Sequence, residues 1–148
     1  MWQRVQTIFL VLIAICMFLM LFFPMWIGGE GDNLMILYPF YLKSSGPDVY
    51  FPYTLTAVLA ISAMTIALIE ITRYNNRITQ IKLGALNSLL MAGAMILPIY
   101  LASDFEGAQA GSFGIGVFLP AIGLVFNMIA NRFIRKDEKL VRESDRLR

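Results

Sequence analysis

The sequence predicts an all-α membrane protein. It has four transmembrane helices in two antiparallel hairpins, both termini in the cytoplasm, and a small extracytoplasmic hairpin or loop as a cap. Three observations carry this prediction. The 148 residues are 58% hydrophobic and only 15% charged, whereas soluble domains are about one-quarter charged. Four apolar stretches have the length of a membrane-crossing helix, about 20 residues. The basic residues cluster on alternate connections between those stretches.

Composition also narrows the chemistry. The chain has one cysteine, Cys16, and no histidine. An internal disulfide is therefore impossible, and a zinc site built from several Cys or His ligands is not expected. Catalysis through a histidine base is excluded. No catalytic residue, metal ligand or cofactor is expected, and Cys16 reads as a small buried hydrophobe. The whole chain, residues 1–148, reads as one membrane domain.

Residues 7–27 form the first apolar run. As a helix it would extend about 31 Å, close to the hydrocarbon thickness of roughly 30 Å. Trp2 and Trp26 bracket it, as interfacial tryptophans do. A cleaved signal peptide fits poorly, because the run is too long and lacks a small-residue cleavage site. Lipid attachment at Cys16 fits poorly too, since Ile15 precedes it. Residues 28–51 form the longest connection. Gly28, Gly29 and Gly31 end the helix, Pro39 interrupts an apolar, tyrosine-rich run, and residues 44–48 have turn composition. Two descriptions stand side by side: a small hairpin with an irregular or edge strand at Pro39, or an interfacial loop carrying Tyr38, Tyr41, Tyr50 and Tyr53.

Residues 52–72 form the second helix, with Pro52 in its first turn. Ala60, Ala63 and Ala67 recur at helical spacing, which lets neighbouring helices approach closely in lipid. Residues 73–82 make a polar, basic connection. Residues 83–102 form the third helix, with Gly84, Ser88 and Ala92 as a stripe of small residues. Residues 103–112 form a short loop with Asp104 and Glu106. Residues 113–134 form the fourth helix, in which Gly116, Pro120, Gly123, Asn127 and Asn131 share one stripe facing other helices. Residues 135–148 form a charged tail.

Orientation follows from the cations. Arg4, Arg73, Arg77, Lys82 and the seven basic residues from Arg132 onward lie on one side, and Lys43 alone lies on the other. Short loops rich in Lys and Arg stay in the cytoplasm. Both termini and the 73–82 connection are therefore expected there.

A few intramembrane polar residues invite functional readings. Glu70 lies near the cytoplasmic end of its helix, and Arg73 follows one turn later. A salt-bridged structural pair is expected, with proton or ion coupling as the alternative. Asn87 follows Lys82 by five residues, and Asn127 precedes Arg132 by five. Each lies roughly 7–8 Å inside the boundary. The two are expected to hydrogen-bond across the second hairpin, with Ser88 and Asn131 beside them. Such bonds average about 0.6 kcal/mol. A polar substrate site is the competing interpretation, although two asparagines and a serine offer little polarity for a solute path.

The tail mixes signs. Glu138 with Arg142 and Lys139 with Glu143 are opposite charges four apart, so a continued helix is expected. Its cations Arg135, Lys136, Lys139, Arg142, Arg146 and Arg148 are candidates for docking another protein. A solvated helix end is the plainer reading, anionic lipid headgroups are a further partner, and ribosomal RNA is disfavoured because acids interrupt the cations.

Gln3-Arg4-Val5-Gln6 enters the first helix, and Asn76 to Leu83 opens the third. With the tail Arg135 to Arg148, these stretches resemble domain-of-unknown-function family 4293. The resemblance covers essentially the whole chain, and the tail is its most specific part. It implies a small four-span inner-membrane protein of Gram-negative bacteria and supplies no activity or site residues. The expected function is non-enzymatic: an accessory subunit binding other membrane proteins through helix faces and tail, in a complex such as export or insertion machinery. The alternative is a homo-oligomeric channel or small-solute carrier, which needs a water-accessible path to Glu70, Asn87 and Asn127. An intramembrane enzyme ranks last, because no nucleophile–base pair is in view.

Overall fold

The computed structural model describes residues 2–29, 34–43, 47–48, 51–73, 76–104 and 111–146. Four helices carry the fold: α1 (Trp2–Met20), α2 (Phe51–Thr72), α3 (Arg77–Ser103) and α4 (Ile115–Arg146). Five short strands lie between them: β1 (Trp26–Gly28), β2 (Met35–Leu37), β3 (Leu42–Lys43), β4 (Pro47–Asp48) and β5 (Ser112–Phe113). The helices form a ring. Each packs on its sequence neighbours, and α1 closes the ring against α4.

Small side chains let the helices come together. Ala60, Ala63 and Ala67 of α2 are fully buried, as their spacing predicts. Gly116, Pro120, Gly123 and Asn127 of α4 are buried, and Asn131 is half-buried. On α3 the buried stripe runs Gln80, Gly84, Asn87, Met91, Ala94, Pro98, Ala102. It shares Gly84 with the expected small-residue stripe, but Ser88 and Ala92 sit only half-buried at its margin. Larger side chains fill the space that remains. Leu10, Ile13, Met17 and Met20 of α1 meet Met91 and the alanines in the core, and Phe9 packs on Phe126 and Phe133 at ring distances of 6.0 and 6.1 Å.

The outer surface is apolar as well. Ile8, Phe18, Phe22, Leu89, Ile96, Phe118 and Met128 are all more than half exposed. Three helices are long and apolar enough to cross a membrane, over Pro52–Thr72, Arg77–Ser103 and Ile115–Val141. The apolar part of α1, Val5–Met20, is shorter.

Residues 7–27 are therefore not one helix. Alpha1 ends at Met20, and its last carbonyls close tight turns, Leu21 N to Phe18 O at 3.2 Å and Phe22 N to Leu19 O at 3.0 Å. The cause is Pro24, which has no N–H for a helical bond and disfavours helical backbone at the residue before it. The chain then becomes strand at Trp26.

The expected cap is a five-stranded antiparallel sheet in the order β4-β3-β2-β1-β5. Trp26 pairs with Leu37 on one side and with Phe113 on the other. Pro39 occupies the turn between β2 and β3, closed by Tyr38 N to Tyr41 O at 2.9 Å. Proline suits the second position of such a turn because its φ is already set. The expected turn at 44–46 lies outside the described residues. Strand β5 was not foreseen. It arrives from the other inter-helix connection, and Gly114 N to Met25 O at 2.9 Å and Gly116 N to Pro24 O at 3.1 Å bind the start of α4 to β1.

The basic connection 73–82 is also shorter than expected, because α3 begins at Arg77. Asn76 caps it, with Oδ1 accepting from Thr79 N at 3.2 Å, a residue type and geometry that satisfy a free helix N–H. The charged tail is helical and continuous with α4 to Arg146.

The junction between α4 and β1 gives a stability prediction. A Cβ at Gly116 would meet Met25 Sδ at 2.6 Å and the Phe23 and Pro24 carbonyls at 2.8 Å. Backbone cannot yield as a side chain does, so Gly116→Ala is expected to cost about 1–3 kcal/mol, as overpacking does. At Gly93 a Cβ would only touch Leu59 Cδ1 at 3.4 Å. Denaturant titration in mixed micelles should find Gly116→Ala clearly destabilised and Gly93→Ala close to the parent.

Candidate functional site

Polar groups gather at the tail end of the bundle, in three layers. The deepest joins α3 to α4. Asn127 Nδ2 donates to Gly84 O and to Ser88 Oγ, both at 2.7 Å. Ser88 Oγ donates to Gly84 O at 3.1 Å, and Asn131 Nδ2 lies 3.5 Å from Asn127 Oδ1. The helices come this close because position 84 has no side chain. A Cβ there would lie 2.5 Å from Asn131 Oδ1.

This corrects the expected pairing of Asn87 with Asn127. Asn127 does reach across the hairpin, but to the face of Gly84 and Ser88. Asn87 is one residue from Ser88, hence about 100° around the helix. It is fully buried, and neither its Oδ1 nor its Nδ2 has a partner among the described residues.

The second layer is built on Glu70, and here too the expectation changes. Glu70 was expected to snorkel and pair with Arg73. Instead it is fully buried, with neither carboxylate oxygen partnered among the described residues. Two causes act together. Glu70 continues the buried stripe Ala60, Ala63, Ala67 at helical spacing, so it points inward. Arg73, whose N–H still bonds Ile69 O at 3.1 Å, follows the last residue of α2, and its side chain is exposed. Gln80 Nε2 donates to the Glu70 main-chain oxygen at 2.8 Å, tying α3 to the end of α2. Gln6 of α1 is also buried, with Nε2 unpartnered. Sequence reasoning missed both glutamines. For Gln80 the signal was present, since 80, 84, 87 and 91 follow one helical stripe.

The third layer is charged. Arg77 Nη2 lies 3.5 Å from Asp137 Oδ2, and its Nη1 donates to Asp137 O at 2.7 Å. Both side chains are largely shielded, at 23% and 16% exposure. The tail is thus clamped to the start of α3. Lys139 pairs with Glu143 at 3.7 Å along the helix, as the spacing predicts. Arg135, Lys136 and Lys139 are exposed. Arg142 and Arg146 lie on the helix with side chains outside the described set, and Arg148 lies outside the described residues.

Two open grooves flank this end. One, of about 500 Å³, lies between α3 and α4 and is lined by Ala85, Ser88, Met128, Asn131, Arg132 and Arg135. The other, of about 360 Å³, is lined by Asn76, Arg77, Ile78, Glu138 and Val141. Among the described residues, no three Cys, Asp or Glu side chains gather where a metal ion could be held.

A family model described as Domain of unknown function (DUF4293) matches residues 2–147. The chain belongs to the DUF4293 family. Neither a curated protein nor a solved structure matches it. The match runs through the helices, the sheet and the clamped tail of this DUF4293 protein alike, so the polar layers lie within the family's domain.

The unpartnered Glu70 gives the second prediction. A buried polar group without a hydrogen bond costs about 1–3 kcal/mol, and an apolar residue of similar volume removes that cost. Glu70→Met is therefore expected to raise stability, by up to about 3 kcal/mol, while Arg73→Ala changes it by no more than about 0.5 kcal/mol. The check is equilibrium unfolding in mixed micelles. Parallel losses in both variants would instead support a Glu70–Arg73 ion pair.

Proposed function

We propose that this DUF4293 protein is a non-enzymatic integral protein of the bacterial inner membrane, serving as an accessory subunit of a larger membrane complex. Export or insertion machinery is the kind of assembly that fits. In this reading all four helices cross the bilayer, α1 together with the extended residues that follow it. Both termini and the α2–α3 connection face the cytoplasm, and the sheet lies on the opposite side. The distribution of Lys and Arg supports that orientation. The apolar outer faces of the helices support contact with lipid and with neighbouring membrane proteins.

The observation that carries the docking role is the tail. Alpha4 continues twelve residues past the buried Ile134, to Arg146. That is about 18 Å of helix beyond the bundle core. It is held in place by Arg77 and Asp137. It carries Leu140 and Val141, at 53% and 43% exposure, among charged neighbours. Together with Ile78, Val141 gives the groove of about 360 Å³ an apolar wall beside Arg77 and Glu138. An apolar strip rimmed by both signs of charge suits a protein partner better than lipid or nucleic acid.

A channel or carrier formed from copies of the chain is the second reading. Glu70 and Asn87, buried with polar atoms unpartnered among the described residues, are the observation in its favour. One purification separates the two. The chain is produced at native level with a tag in the 105–110 connection and extracted in mild detergent. The accessory-subunit reading expects a stoichiometric larger particle, lost when residues 137–148 are removed. If the truncated chain keeps every partner, the tail does not dock. A particle holding only copies of this chain would favour the carrier.

A further inference from the structure

The groove of about 500 Å³ between α3 and α4 differs from the tail groove in one respect: its polarity is graded along its length. At the apolar end, Met128 is 70% exposed and faces the small side chains Ala85 and Ser88 across the gap. One turn further along α4 comes Arg132, and nearly one turn beyond that, Arg135. The three recur at spacings of four and three, so they share one face of the helix. The contact of Asn127 with Gly84 sets the depth. Arg132 lies five residues beyond Asn127, and Lys82 lies two residues before Gly84, so both stand where apolar sequence gives way to charge.

Both arginines are exposed, none of the six lining residues is acidic, and neither arginine has an ion-pair partner among the described residues. The nearby carboxylates are directed elsewhere. Asp137 pairs with Arg77, and Glu138 lines the other groove. A guanidinium offers paired donors suited to phosphate oxygens. The groove exists because Ala85 and Ser88 are small, and Leu89 and Val125, one turn along their helices from Ala85 and Met128, are exposed.

We propose that this groove holds one anionic phospholipid, with its phosphate between Arg132 and Arg135 and an acyl chain along Met128 and Ala85. The assignment rests on α3 and α4 crossing the bilayer. A phosphate ester with a hydrocarbon chain attached matches both ends of the groove, whereas a free phosphate matches only the arginine end.

The test is native mass spectrometry of the full chain in mild detergent, titrated with phosphatidylglycerol or phosphatidylcholine. The parent is expected to retain one phosphatidylglycerol and to discriminate against phosphatidylcholine. The double variant Arg132→Gln/Arg135→Gln should bind it about 30-fold more weakly. That corresponds to about 2 kcal/mol at 1.4 kcal/mol per tenfold, or about 1 kcal/mol for each arginine. Lys43→Gln/Arg73→Gln removes the same charge outside the groove and should leave binding unchanged. Ala85→Leu fills the groove with both arginines intact and should also release the lipid. Equal losses in the two charge variants, or none in either, would overturn the proposal. Displacement of the lipid by inorganic phosphate would reassign the arginines to a free anion and overturn it too. Alkaline extraction of membranes reads the underlying assumption separately, since a chain released into the aqueous phase would not cross the bilayer at all.

Discussion

The close approach of α3 and α4 at Gly84 is the contact on which the tail end of this protein depends. One amide, Asn127 Nδ2, holds a backbone oxygen and a serine hydroxyl at 2.7 Å each, and the missing side chain at position 84 makes room for it. In an apolar surrounding there is little hydrophobic drive between helices, so close packing and a few polar contacts must supply specificity. This contact sets the register of the hairpin. Register in turn brings Arg132 and Arg135 opposite Ala85 and Ser88, and carries Asp137 to Arg77. Both grooves and the clamped tail follow from it.

At the other end the constraint is backbone hydrogen bonding. Pro24 ends α1 early, and the polar groups of the following residues need partners. They find them in β2 and β5, from two different connections. The sheet thereby joins the first helical hairpin to the start of α4. Over Ala60 to Ala67 of α2, small residues alone make the packing face. At Glu70 and Asn87, whose buried polar atoms have no partner among the described residues, the fold carries a cost with no visible structural return. Such residues are where a function would be looked for if the protein moved ions.

Much of this was legible in the sequence, and the legible part has a common physical basis. Small residues recurring at three and four in an apolar run report helix contacts, which is why Ala60, Ala63, Ala67 and the Gly116-to-Asn131 stripe were placed correctly. The helical tail followed from Lys139 and Glu143. The failures concern interactions that are not periodic. Hydropathy runs straight through Pro24, so the end of α1 was hidden by its own apolar neighbours. Strand β5 is two residues long and pairs with a segment more than eighty residues away, which no local pattern records. Depth alone put Asn87 level with Asn127, but azimuth decides hydrogen bonding, and Ser88 holds the better angle. Glu70 was matched to its nearest cation although the buried alanine stripe already pointed it inward.

The proposed topology requires that α1 cross the membrane although its helix is the shortest of the four. Accessibility labelling tests this most directly. In a Cys16→Ser background, single cysteines at positions 3, 43, 82 and 139 would be exposed to a membrane-impermeant thiol reagent in intact and in opened cells. The account predicts labelling of position 43 from outside, and of 82 and 139 only after opening, with the N-terminus protected like the latter two. An N-terminus that labels from outside while position 82 stays protected would mean that α1 does not span, and would contradict the four-helix topology.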